Sequence, residues 1–166
     1  MEKIKILNLN ILSISEETLL KELKSGVLFT PNVDHLVKLQ KDKEFYEVYK
    51  NADFIICDSQ IVRFFSKFLN QTIHSVIPGS SFFYNFCNFH RSNEKIKIYL
   101  LGAAPGVADE AQFRINERIG REIIVDCYSP TYGFETNELE CDKIIRLINQ
   151  SSANILVVGL GAPKQE

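Results

Sequence analysis

The chain has 166 residues, of which 45% are apolar and 24% charged, with a formal net charge of −2 and a pI near 6.0. That is enough chain for a hydrophobic core and reads as one domain over residues 1–166. The slight acidity offers no general attraction to nucleic acid or anionic lipid, no apolar run approaches a membrane span, and the N-terminus lacks the apolar centre of a secretory leader; the expected location is the cytoplasm.

The period of the apolar residues alternates along the chain. Residues 3–9, "KIKILNL", are predicted to form a strand. "SISEETLLKELKSG" follows as a helix, with Ser13 and Glu16 as a capping box and Gly26 as the stop. "VLFT" is a short strand ending at Thr30. Residues 33–52 are helical, in two pieces. "DFIIC" is a continuous apolar strand of the kind buried on both faces. "SQIVRFFSKFLN", residues 59–70, is a helix, "SVI" a short strand, and "SSFFYNFCNFHRS" a helix with an aromatic face. The remainder reads as strand ("KIKIYLL"), helix ("GVADEAQFRINERIG"), strand ("EIIVDCY"), helix ("NELECDKIIRLINQS") and strand ("NILVVGL"). Such alternation predicts an α/β fold: a Rossmann-like, doubly wound, mostly parallel sheet with helices on both faces.

Ligands of such sheets bind beyond the carboxyl ends of the strands. The segments delivered there are "TPNVDH", "CDSQ", "LGAAPG", "YSPTYGF" and "GLGAPKQE". Turns explain their Gly and Pro but do not require Thr30, Asn32, Asp58, Gln165 and Glu166. Asp58, directly after a buried strand, fits a general base; it equally fits the N-cap of the next helix. The turn at Gly102 and Ala103 would let backbone N–H groups approach a phosphate ahead of a helix N-terminus. It is not the dinucleotide fingerprint, and there is no Walker motif. The seven aspartates, 34, 42, 53, 58, 109, 126 and 142, include no pair at i and i+2, so leaving-group charge would fall to amides, helix ends and cations such as Lys164. Lys164 also fits an ordinary solvated lysine. Tyr132, beside Gly133 in a loop, is a candidate to contact a base or sugar, whereas residues 82–89 read as core. Cys57, Cys87, Cys127 and Cys141 and the three histidines lack metal-ligand spacing; no metal site is expected, and the thiols read as free and buried or half-buried.

Taken in order, "TPNVDHLVKLQKDKEFYEVYKNADFIICDSQ", "PGSSFF", "IYLLGAAPGVADEA", "YSPTYGF" and "NILVVGLGAPKQE" resemble the landmarks of the WecG/TagA/CpsF glycosyltransferases, from Thr30 to the end of the chain. The resemblance implies an inverting, metal-independent transferase that needs no cofactor. It would move N-acetylmannosamine or a related hexose from a UDP-sugar donor to an undecaprenyl-diphosphate-linked acceptor, in the synthesis of teichoic acid or another cell-surface polysaccharide. Asp58 would then be the base, with Thr30, Asn32 and Gly79 around it. Gly102 and Ala103 would lie near the nucleotide, and Tyr132, Gly133, Gly161, Lys164, Gln165 and Glu166 would also contact substrate. The sequence departs from the family pattern in three places. After Asp58, Ser59 stands where the Gly of an Asp-Gly pair is usual, and Val76 and Ser81 stand where an Arg and an Asp are usual. The family also continues past "PKQE" with a strand and a basic appendage that reaches the membrane. The expectation is therefore that these 166 residues alone bind UDP-sugar but catalyse weakly or not at all, with exposed apolar surface favouring homo-oligomers and membrane association residing in the appendage. Two competing readings are another nucleotide-binding α/β enzyme, such as a dehydrogenase, and a non-catalytic nucleotide-sugar-binding or scaffold subunit of a polysaccharide assembly complex.

Overall fold

Residues 2–69 and 72–166 are described by a computed structural model. By its contacts the chain divides into two compact units, residues 1–85 with Glu166, and residues 86–165.

The first unit opens with a hairpin, β1 (Glu2–Ile6) against β2 (Leu9–Ser13), antiparallel with Ile6 opposite Leu9 and Ile4 opposite Ile11. The expected single strand over residues 3–9 is thus corrected to two strands around a two-residue turn. Leu7 takes the turn's positive φ of 54°, a position where Gly or Asn ordinarily announces the reversal. Ile4, Ile6, Leu9 and Ile11 are buried. Helix α1 (Glu16–Glu22) is capped by Ser15, whose Oγ accepts from the Thr18 N–H. The expected cap, Ser13, instead ends β2 and accepts from His74 N–H, and the helix stops before Gly26 is reached.

Two very short strands follow, β3 (Leu28–Phe29) and β4 (Phe54–Ile55), paired in parallel. Between them lie α2 (Val33–Lys38) and α3 (Lys43–Lys50), the two predicted helical pieces, capped by Asn32 and Asp42. A single parallel bridge joins Leu12 of β2 to Ile56 just past β4. Helix α4 (Gln60–Ser66) continues into a 3-10 turn, Lys67–Leu69; the expected helix end at Asn70 lies outside the described residues. The segment "SVI" is not a strand. Its Ile77 N–H reaches the Cys57 carbonyl at 2.8 Å, a single bond where a ladder needs several. Helix α5 (Gly79–Phe89) spans the division between the units in sequence, with Phe82 and Phe86 buried.

In the second unit β5 (Ile98–Gly102) is the central strand, flanked in parallel by β6 (Ile124–Tyr128) and β7 (Ile155–Gly159). Every residue of β5 is buried, as the centre of a parallel sheet requires. Helices α6 (Val107–Ile119) and α7 (Glu138–Gln150) make the two crossovers. Asn116 of α6 binds the start of β6 through three hydrogen bonds, accepting from the Ile123 and Ile124 N–H groups and donating to the Ile124 carbonyl. Tyr99, Leu101 and Ile144 form a core between sheet and α7. The fold is α/β and Rossmann-like, as predicted. Its regular pairing, however, is divided among a hairpin, a two-strand pair and a three-strand sheet. All four cysteines are free thiols.

Candidate functional site

Asp58 follows the buried Ile56 and Cys57 at the carboxyl end of β4. The capping role open to it is taken by Ser59, whose Oγ accepts from the Val62 N–H at the start of α4. Ser59 sits at φ −130°, extended backbone that any residue adopts, so the glycine usual in the family is not needed here. Asp58 is thereby released from its own helix. Its N–H donates to the Pro31 carbonyl, while Oδ2 accepts from the Gly79 N–H at 3.3 Å. Burial pushes its carboxyl above the ordinary aspartate value; the Gly79 N–H, nearby His35 and a hydrogen bond with Thr30 pull the other way. Thr30 and Gly79 are in close contact, since a Cβ added to Gly79 would stand 3.0 Å from Thr30 Oγ1. Three of the sequence-predicted residues, Thr30, Asp58 and Gly79, are therefore brought together.

A second layer lies in the same unit. His35, on α2, is buried, and its Nδ1 lies 2.6 Å from the Tyr49 hydroxyl and 3.6 Å from Glu166 Oε1. Burial is the leading cause holding the His35 imidazole below its ordinary pKa, opposed by the Glu166, Asp34 and Asp58 carboxylates. Burial, and then the Glu166 charge, raise the Tyr49 phenol, so this hydroxyl keeps its proton. Phe45 and Tyr49 wall the imidazole at ring-centroid distances of 5.9 and 6.2 Å. Asn32 is the cap of α2, its Oδ1 accepting from the Asp34 and His35 N–H groups, so it orients His35 directly. His35 and Tyr49 escaped the sequence reading. The available signals were a histidine in the first turn after a cap and a Phe45–Tyr49 pair at i and i+4, the spacing of side chains that share a helix face.

The second unit holds the other predicted residues. Gly102 has φ +127°, and a Cβ there would come within 2.4 Å of the Gly159 carbonyl oxygen. The close approach of two strand ends thus accounts for this glycine without a ligand. Ala103 has φ 62° and donates its N–H to the same carbonyl. Ser129 Oγ donates to the Gly102 carbonyl, fixing the loop from below. The first turn of α6 carries Asp109 and Glu110, which already meet the positive end of that helix. Tyr132 is fully exposed, and Gly133 leads into a 3-10 turn, Phe134–Thr136. Lys164 is paired with Glu135 and lies over the Tyr132 ring, 5.2 Å from its centroid. Gln165 Oε1 accepts from the Gly161 N–H, closing the last turn. Among the described residues, a cleft of about 240 Å³ is lined by residues including Asn8, Tyr46 and Tyr49, and another by residues including Asp109, Phe113 and Glu122; neither of these is lined by Asp58.

Comparison with known proteins agrees with the motif reading. The family model described as "Glycosyl transferase WecG/TagA/CpsF family" matches residues 4–166. The chain is 28% identical over 154 residues to the N-acetylglucosaminyldiphosphoundecaprenol N-acetyl-beta-D-mannosaminyltransferase of Bacillus spizizenii, a match covering 91% of this chain and 56% of that protein. It is 26% identical over 122 residues to the protein of the same description from Staphylococcus aureus, covering 74% and 45%. The chain spans about half the length of the curated relatives it matches.

Proposed function

The chain belongs to the glycosyl transferase WecG/TagA/CpsF family, and from that premise we propose that it carries the base-bearing part of an inverting sugar transferase. On this reading the donor is a UDP-activated N-acetylmannosamine or related hexose and the acceptor a sugar linked through diphosphate to undecaprenol; the names of the relatives support the mannosaminyl group and the acceptor. The observation that supports this most is the state of Asp58. It is half-buried, excused from capping by Ser59, held by the Gly79 N–H, and raised in pKa by burial. A carboxylate so placed is a stronger base than one in water.

In the proposed step an acceptor hydroxyl gives its proton to Asp58 as its oxygen attacks the anomeric carbon. The carbon–oxygen bond to UDP breaks on the opposite side, and UDP leaves with the bonding electrons. Thr30, Asn32, Gly79 and Glu166 position the sugar groups. The sequence offers no Asp-x-Asp pair to hold a divalent ion against the diphosphate, so main-chain amides meet that charge. In the second unit the same reading gives Gly102, Ala103, Tyr132, Gly133, Gly161, Lys164 and Gln165 to the nucleotide and its sugar. Lys164 must then exchange its Glu135 partner for phosphate.

Asp58→Asn tests this. It keeps an acceptor oxygen for the Gly79 N–H and removes the base. Transfer from UDP-N-acetylmannosamine to a lipid-diphosphate acceptor is expected to fall about 10³-fold, with UDP affinity by calorimetry unchanged. Undiminished turnover in the variant would refute the assignment of Asp58 as the base.

A further inference from the structure

The loop between β6 and α7, residues 129–137, carries Tyr132 and Gly133 at its tip, and the Tyr132 ring is fully exposed. Loop tips of this kind are ordinarily mobile. This one is tied to the helix behind it. Glu140 Oε1 accepts from the Thr131 N–H at 2.8 Å and from the Tyr128 hydroxyl at 3.2 Å, and Oε2 accepts from the Thr131 hydroxyl. The Thr131 hydroxyl and N–H hold the Glu140 carboxyl below the ordinary glutamate value, so it is a charged acceptor at neutral pH, the stronger kind. Lys143 Nζ donates to the Tyr128 hydroxyl at 3.2 Å and lies over the Tyr128 ring, which steadies that donor in turn.

Capping of α7 does not require this arrangement. Asn137 is the cap, its Oδ1 accepting from the Glu140 N–H at 3.2 Å. Glu140 is therefore the third residue of the helix, where a glutamate commonly reaches back to the N–H of the cap. Here the Asn137 N–H already donates to the Phe134 carbonyl at 2.8 Å. The carboxylate is directed across the loop instead, onto the residue that precedes Tyr132. The far side of the tip is held as well. Phe134 packs against the core of Tyr99, Leu101 and Ile144, its N–H donates to the Thr131 carbonyl, and its own carbonyl accepts from Cys141 Sγ. Tyr132 and Gly133 thus lie between two fixed neighbours, with Lys164 over the ring. A ring that buries no surface gains nothing from being held. A ring that must meet a ligand gains affinity, because the cost of ordering it falls before binding.

We propose that Glu140 is a positioning residue, whose carboxylate holds Thr131 so that Tyr132 stands as a preset platform for the nucleotide. The identity of the platform's ligand rests on the function proposed above; the hold of Glu140 on the loop does not.

Backbone amide relaxation measures the hold with no ligand present. Order parameters at Tyr132 and Gly133 are expected at about 0.85 in the wild type and below about 0.6 in Glu140→Ala. Glu140→Gln should keep the wild-type values, since its side-chain oxygen still accepts from the Thr131 N–H and its amide donates to the Thr131 hydroxyl. Thr131→Val, which leaves α7 untouched, should fall between. Calorimetry with UDP then reads what the hold is for. Glu140→Ala should weaken binding about fivefold and Glu140→Gln less than about twofold. Added to Tyr132→Ala, Glu140→Ala should weaken it no further, because the two act through one ring. Equal order parameters in the wild type and Glu140→Ala would overturn the proposal. So would a loss of UDP affinity from Glu140→Ala that is the same with and without Tyr132, the mark of a general structural role. If the order parameters change as expected while Tyr132→Ala leaves UDP affinity intact, the hold is upheld and the assignment of Tyr132 to the nucleotide is what has failed.

Discussion

The two units place their loops by different means. In residues 86–165 three parallel strands of five residues each pair side by side, with one register shift between Ile98 and Tyr99 against β6, and two helices of 13 residues cross between them. In residues 1–85 the parallel strands are two residues long, and every helix up to α4 is eight residues or fewer. Side chains do there what a ladder does elsewhere. Ser15, Asn32, Asp42 and Ser59 each bind the first turn of the helix they precede. Backbone pairing fixes a loop whatever its side chains, whereas caps fix it one atom at a time. The candidate base stands in the unit built on caps, where Ser59, by capping α4, leaves the neighbouring carboxylate free.

Changes that obstruct backbone pairing should therefore be the costly ones in the second unit. Gly102→Ala should destabilise it by about 3 kcal/mol or more, a positive φ and a backbone overlap acting together. The overlap is with Gly159, 2.4 Å from the added carbon, and neither backbone can yield without breaking the β5–β7 register. In thermal unfolding this would appear as a drop of roughly 10 °C. Gly133→Ala is the control. It too has positive φ, but a Cβ there meets nothing within 4 Å, so about 1 kcal/mol is expected. Equal losses at the two positions would mean that the strand contact does not set the second unit's stability.

In the first unit a cap should matter more than its modest energy. Asn32→Ala removes the acceptor of two N–H groups at the start of α2 and should cost about 1 kcal/mol in urea unfolding. Asn32→Asp keeps the acceptor and should cost little. Because the same cap orients His35, the alanine variant should also lower turnover by more than its stability loss explains. A turnover that simply follows the folded fraction would break the contrast between the units.

How far the sequence revealed this follows the same division. The strands and helices of residues 86–165 are legible because an unbroken apolar run such as "IYLL" and a 3.6-residue period need only local chemistry to show themselves. The hairpin at residues 2–13 was hidden because Leu7 occupies its positive-φ position without glycine. The capping box at Ser13 failed because two serines compete two residues apart, and the tertiary bond from His74 takes the first. Of the candidate site, the strand-tip rule found Thr30 and Asp58, and Gly79 came from the motif resemblance. His35 and Tyr49 were missed because their meeting depends on how α2 and α3 pack, and no spacing encodes that. Gly102 was noticed for a phosphate, yet the contact visible in the structure is with Gly159.

The smallest effect is a test of that missed pair. Burial holds the His35 imidazole below its ordinary value of 6.5, while Glu166, Asp34 and Asp58 push it up and Lys38 pushes it down. Between the ordinary value and the folded one, the unfolded chain binds a proton that the native unit refuses. Stability from His35 is thus complete above about pH 6.5 and is lost as pH falls through the folded pKa, no more steeply than about 1.4 kcal/mol per pH unit. His35→Gln should flatten the stability curve in that window. Asp58 acts with the opposite sign and lower in pH. Its raised carboxyl favours folding below the ordinary aspartate value of 3.8 and ceases to as pH rises through the folded value, so Asp58→Asn should gain stability at neutral pH and none in acid. Urea midpoints from pH 4 to 8 for the wild type and both variants separate the two groups. A His35→Gln curve parallel to the wild type would mean that the imidazole takes up its proton in the native unit as readily as in the unfolded chain, and that the packing of Phe45 and Tyr49 leaves it open to water.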